Sequence, residues 1–427
     1  MSRAVACHKL TVAAITAVLV GLLFSLPLAG QTYRTFRSEL ERITEQARWR
    51  LGRIWIDPSL SFSFQYDSNI YGASEQNEPV SDYVATTSIP LTFYLISGDW
   101  LMFSFLASPQ YVHFFEISSE RALNASYSPG LRMLLFNNFV LSGEYQFSRT
   151  KERWLAEVET RVTREIQGWS SSLFYETSRS TSIGLSFSDL DISYEDASVG
   201  DTESDILRGL NRNEKISRLE FYYRIFSDSS FFTVLDYSDY AFKDPESKNK
   251  DSYSYQFDLG VRFPRLGRAR GILSLGYKKF VPKQEGWRQF SGIVGNTNLE
   301  LRVRSFNFRL LFQIDTPFSY STNNVFYLEY RFGTGISYHL TSSIRLDYDF
   351  TYGENDYPEI DLALAPDGSI QAIKKKDTYR THAGSIVIRV VRNTGIGLRV
   401  SFYDRTTNYY AMNMSRVIYG AFVTYEF

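Results

Sequence analysis

The chain has 427 residues, of which 44% are hydrophobic, 22% charged and 16% aromatic, with a formal net charge of −1. There is no basic excess of the kind that binds nucleic acid, and a mean hydropathy of −0.24 argues against a bundle of apolar membrane helices. The 30 Tyr and 33 Phe fit either an aromatic-rich soluble β-protein or a membrane barrel, which places such residues in girdles at both interfaces.

Residues 1–30 combine Arg3 and Lys9, an apolar run from Leu10 and a small-residue exit at Ala29 or Gly30. This is the layout of a secretory signal peptide. The run is nearly long enough to span a membrane, so an uncleaved anchor is the alternative. Pro27 favours cleavage, because it ends the helix before the small residues. Cleavage would remove both basic residues and no acid, leaving a net charge of −3. It would also remove Cys7, the single cysteine, so neither a disulfide framework nor a Cys-ligated metal is expected.

Over residues 33–51, Phe36, Leu40, Ile43, Ala47 and Leu51 recur at helical spacing. The spacing predicts a short amphipathic helix, either a periplasmic lead-in or a plug or docking helix. The domain division expected is a signal peptide over 1–30, helix and lead-in over 31–56, and a barrel over 57–427.

From Asp57 onward the period changes to two, the signature of strands with two different faces. Leu219, Phe221, Tyr223 and Ile225 oppose Arg218, Glu220 and Arg224. Phe306, Phe308, Leu310, Phe312 and Ile314 oppose Asn307, Arg309, Leu311 and Gln313. Phe326, Leu328, Tyr330 and Phe332 oppose Glu329 and Arg331, and Ile344, Leu346, Tyr348 and Phe350 oppose Arg345, Asp347 and Asp349. Short connections near 97–99, 137–138, 178–180, 227–230, 265–268, 304–306, 341–343 and 392–395 alternate with longer polar ones, including 195–213, 318–323 and 354–377. Short turns on one side and long loops on the other are the outer-membrane pattern, with the turns in the periplasm. The expectation is an all-β, transmembrane, antiparallel up-and-down barrel of about 18 strands, with 16 the next choice. The chain ends on an alternating strand in which Val423, Tyr425 and Phe427 share an apolar face, and this resembles the last-strand signal read by the barrel assembly machinery.

The stretch 48–72 with 81–95 resembles the opening of the putative β-barrel porin 2 family through Gly52, Pro58, Tyr66, Asp67, Asn69, Asp82 and Pro90. The segment 289–303 is also similar to that family. The resemblance implies a barrel without defining its solute, and some relatives neighbour polysaccharide or exosortase-type export systems. The residues themselves say that Asp67 and Asn69 shape a turn. Pro90 removes a ladder donor, so a bulge or a local distortion of its strand is expected.

Little points to catalysis. His113, His339 and His382 stand alone in apparent strands, no His-Glu-x-x-His or Gly-x-Ser-x-Gly occurs, and Ser274 lies in an ordinary strand. No enzyme activity, metal or cofactor is expected. The lysine run 374–376 reads as a solvated part of a long loop. The polar strand faces carry Arg218, Glu220, Arg224, Glu300, Arg302, Arg309, Glu329, Arg331, Arg345, Asp347 and Asp349, which are expected to line a lumen. They would either give a hydrated pore a transverse field or only pair with one another along the wall. The function expected is a water-filled, weakly selective channel for small hydrophilic solutes in the bacterial outer membrane. The alternative is a binding or structural barrel of a surface-polysaccharide or protein export system, plugged in isolation. Lipid, the assembly machinery and small solutes or polysaccharide are the partners expected, without nucleic acid.

Overall fold

The computed structural model describes residues 36–74, 76–153, 161–177, 181–195, 208–225, 229–266, 268–321, 323–364, 368–409 and 412–426. The residues proposed as a signal peptide, the turn at 178–180 and Phe427 lie outside them.

One helix, α1 (Phe36–Gln46), precedes the sheet. A three-residue arm, Trp49–Leu51, then folds back on Ile54–Ile56. Gly52, at φ +64°, turns the chain between them in a conformation that favours glycine.

The sheet has 21 strand segments, all paired antiparallel. One is the arm, and four are halves of two interrupted wall strands, which leaves a wall of 18. In chain order these are β1 (Ile54–Asp67), β2 (Asp82–Ser88 with Leu91–Ser97), β3 (Leu101–Ala107 with Gln110–Phe114) and β4 (Ala122–Leu135). They continue with β5 (Phe139–Glu152), β6 (Val162–Glu176), β7 (Thr181–Glu195), β8 (Arg212–Arg224), β9 (Ser230–Phe242) and β10 (Ser252–Leu266). Next come β11 (Ala269–Pro282), β12 (Phe290–Val303), β13 (Phe306–Asp315) and β14 (Leu328–His339). The last are β15 (Ile344–Leu364), β16 (Ile370–Val391), β17 (Thr394–Thr407) and β18 (Met414–Glu426). Each pairs with the next, and β18 pairs back on β1 from Ser59↔Glu426 to Asp67↔Ile418. Around the wall closure leaves no sheet edge, so the ladder there satisfies its own backbone groups, a condition that a non-aqueous surrounding imposes; edges remain only on the arm and on the outer part of β15 and β16.

The two faces differ as the alternation requires. Large apolar side chains stand out from the wall: Leu275 is 61% exposed, Ile293 59% and Leu398 62%. A continuous apolar surface of this extent is unfavourable in water and favourable against lipid.

Pro90 and Pro109 interrupt β2 and β3 without shifting either register. Ser61 pairs with Ser88 before Pro90 and Pro58 with Leu91 after it, and the alternation of faces is kept. The long loop read at 354–377 is a correction. β15 and β16 run on as strands of 21 and 22 residues, with an irregularity between Asp356 and Ile360 around Pro358. The lysine run belongs to this hairpin, where Lys374 pairs with Asp356 at 2.8 Å and Lys376 with Glu354 at 2.7 Å. Cross-strand charge pairs of this kind support polar strands that hydrophobic alternation does not reveal.

Candidate functional site in the barrel interior

The interior has two unlike walls. Along β1–β7 a row of inward positions at mid-height is small and hydroxylated, between apolar positions at either end. Ser142 pairs with Ser172, and Ser172 with Ser186; alongside, Ser170 pairs with Ser188. Glu144, which accepts from Ser128, is a charge set among these serines. At β8 the same row becomes ionic. Ser186 pairs with Arg218, and Arg218 with Asp236. The Arg218 guanidinium donates twice to Asp236, from Nε at 2.7 Å and Nη2 at 2.9 Å, and lies 3.7 Å from Glu220.

The ionic wall continues to β17. Arg270 donates from Nε to Glu300 at 2.5 Å, and Glu300 also accepts from Asn307. Arg309 reaches Asp349 at 2.7 Å, and Arg345 reaches Asp347 at 3.0 Å. These groups, with Ser337, His339 and Arg399, border a cavity of about 650 Å³. The Arg309–Asp349 pair spans β14, which is possible because Gly335 lies between them in register. A Cβ on Gly335 would collide with the Asp349 carboxylate and crowd the Arg309 guanidinium. Nearer the long loops, Arg331 and Tyr379 both donate to Glu329, at 2.8 and 2.9 Å, with Tyr379 lying across Gly353. Arg302 is exposed, and Arg224 ends β8 on the short-turn side. Thus all eleven charged positions named from the sequence fall on the face opposite the exposed aromatics. Val423 and Tyr425 fall on the outer face, paired with Phe62 and Leu60.

Among the described residues, three inward segments stand out. At the short-turn end, Phe36, Leu40 and Ile43 of α1 pack on Trp55, Ile96, Met102, Leu134 and Val140. The helix therefore lies inside the mouth, against β1–β6. Glu39 pairs with Arg132, and Arg37 donates to Asn137 at 2.9 Å. At the other end, residues 68–74 turn inward. Asn69 bonds both the N–H and the C=O of Ala73 at 2.8 Å, and Ile70 is fully buried on Val84, Val112 and Phe114. Asp67 holds this turn against β18 by accepting from Arg416 Nε at 2.7 Å.

Of the third segment, 316–327, residues 318–323 were read from sequence as a polar loop and Phe326 as an outer-face position of the next strand; the strand starts only at Leu328, and Phe326 is buried against Phe280 and Phe290. The segment folds into the barrel. Phe318 stacks edge-on against Tyr240, Phe242 and Phe280, with centroids 5.0–5.6 Å apart. Lys250 Nζ donates to the carbonyls of Ser319 and Ser321 at 2.8 and 2.9 Å, and Asp361 accepts from Asn323 at 2.6 Å. Below it, Asp377 is buried with Lys375 at 3.5 Å and Arg405 at 3.3 Å, and Tyr357 donates to it at 3.2 Å. The aromatic pattern in 'FSYSTNNVFY' was the available signal, since it exceeds what a solvated loop needs.

No family model matches this chain, and no curated protein sequence does. Solved structures do. The outer-membrane protein OpdK of Pseudomonas aeruginosa is 10% identical, with a TM-score of 0.49, over 87% of this chain and 98% of that one. OccK3 (OpdO) of the same organism is 13% identical, with a TM-score of 0.48, over 91% and 97%. OpdQ, also from that organism, is 11% identical, with a TM-score of 0.49, over 88% and 97%. Among the described residues no group of three His, Cys, Asp or Glu side chains could hold a metal ion.

Proposed function

We propose that the protein is an outer-membrane channel, weakly selective, for small hydrophilic solutes. One observation carries this reading: a closed wall of 18 strands whose outer face is apolar and whose inner face is hydroxylated or ion-paired. A barrel of this strand number is wide enough for an aqueous passage. In this reading residues 1–30 are removed on export and the short turns face the periplasm. The charged residues from Arg218 to Asp349 named above line the lumen, and the apolar face of Val423, Tyr425 and Phe427 is read by the assembly machinery. The sequence resemblance to the porin 2 family agrees with it. No catalytic role is assigned.

Purified protein in planar bilayers should give stepwise conductance. A second reading, an export-system barrel closed in isolation, is favoured by α1, 68–74 and 316–327 all lying inside the wall. A heat-modifiable, folded barrel without conductance would favour that reading. Recovery of the protein from the soluble periplasm would overturn both.

A further inference from the structure

Helix α1 does not fill the mouth it occupies. Its apolar stripe lies on β1–β6, and on its free side a cavity of about 690 Å³ separates Phe36 and Glu39 from the wall of β8–β12. Six charged residues line that cavity: Glu39, Arg132 and Glu176 on the helix side, and Arg262, Arg270 and Glu300 on the facing wall. Four of the six pair with one another, Glu39 with Arg132 and Arg270 with Glu300. Glu176 instead faces the backbone N–H of Phe36 at 3.5 Å, and Arg262 stacks over Tyr222 at 5.9 Å. Among the described residues neither is in a direct ion pair, although Arg132 acts on Glu176 and Glu220 on Arg262 from further away, so one anion and one cation free of close contact border the same space.

We propose that the gap between α1 and β8–β12 is a filter for small zwitterions, solutes that carry an ammonium and a carboxylate together. The ammonium is drawn to Glu176 and the carboxylate to Arg262, where a guanidinium can donate two parallel hydrogen bonds. A simple cation or anion meets attraction on one side and repulsion on the other, whereas a zwitterion aligned with the field meets attraction on both. The helix makes the filter by narrowing the passage until both charges act on one solute. This inference rests on the channel reading above.

The test uses the full protein in liposomes, with alanine as the zwitterion and lactamide as a neutral solute of similar size, and in planar bilayers under a salt gradient. Alanine should permeate faster than lactamide. Glu176→Gln should shift the reversal potential towards anions and Arg262→Gln towards cations, and each should reduce the alanine-to-lactamide ratio by roughly two- to fivefold, the scale of one partly exposed charge contact. Glu176→Arg or Arg262→Glu alone should abolish the preference. The double exchange should restore it, since a zwitterion can bind reversed, and no purely structural role predicts that rescue. Conductance with alanine-to-lactamide ratios unchanged across these variants overturns the filter and leaves the channel. Folded barrels without conductance overturn both.

Discussion

The hydroxylated wall of β1–β7 and the ionic wall of β8–β17 are halves of one barrel, with the same ladder and the same alternation, yet they are built on different physics. The mid-height serine row makes few interactions of its own, while the ion pairs of that half, such as Lys151 with Glu120 and Arg416 with Asp67, lie towards the long loops. The ionic wall is laced by pairs that cross strands, and in places cross a glycine. Both halves hold inward segments, but α1 and 68–74 rest on apolar positions at the ends of β1–β6, whereas 316–327 is held mainly by charged and polar groups. The contrast implies that substitutions in the two halves should differ in cost by several kcal/mol, although the residues share an orientation.

The largest effect is expected where the ionic wall is dry. Asp377 is buried between Lys375 and Arg405, with side-chain exposures of 1%, 4% and 6%. Asp377→Ala leaves two buried cations without their shared anion, and breaking such a cluster costs about 3–5 kcal/mol. Urea unfolding of protein refolded into vesicles should show it. A loss under ~1 kcal/mol would mean that water reaches this cluster. Tyr327, packed on Tyr357 at 5.3 Å, and Tyr320, under Lys375 at 5.4 Å, would then rest on a hydrated cluster.

Next in size is the outer face. Leu310 points outward and Arg309 inward on neighbouring positions of β13. An arginine on the lipid side near mid-membrane costs about 2–4 kcal/mol. The Arg309–Asp349 pair is 41% and 49% exposed, so Arg309→Leu should cost no more than about 1 kcal/mol. Leu310→Arg should therefore reduce heat-resistant folded protein on gels far more than Arg309→Leu. Equal losses would place the wrong face towards lipid, since a slip of one residue exchanges the faces.

Smaller again is the effect at Gly335. Its missing Cβ is the path of the Arg309–Asp349 pair. Both side chains end in water and can swing aside, so Gly335→Ala should cost about 0.5–1 kcal/mol, the worth of the pair it displaces. Made in an Arg309→Leu background the same change should cost nothing further, a non-additivity that a double-mutant cycle reads directly.

How much of this was legible depended on whether a residue's role shows in its own pattern. The wall was legible: alternation such as Phe306 to Ile314 and turns such as 304–306 define strands locally, and their sum gave the strand number. The helix was legible from Phe36, Leu40 and Ile43, but its place inside the mouth was not, because the partners Trp55, Met102 and Val140 are distant in sequence. Only the outer part of the β15–β16 hairpin was missed, because it is held by Lys–Asp and Lys–Glu pairs rather than by apolar alternation. The inward course of 316–327 depends on Lys250, Asp361 and the inner-face rings, which no local pattern connects. The serine wall escaped notice for the opposite reason: attention to charge passes over a face whose content is the absence of charge.

The smallest predicted effect tests that wall. Ser172 sits between Ser142 and Ser186 in one row, with no side-chain hydrogen bond to the described residues. A hydroxyl in that position is satisfied by water if the lumen is hydrated, and the alanine side chain that would replace it is no worse placed. Ser172→Ala should then change stability by less than about 0.5 kcal/mol, as surface substitutions do. In a dry, packed interior the hydroxyl would be a buried group without a partner, and removing it would relieve a penalty of about 1–3 kcal/mol. The sign and size of this one change therefore report on water inside the barrel. A clear stabilisation by Ser172→Ala would argue that α1 seals its half of the lumen, and would favour the closed export barrel over the channel.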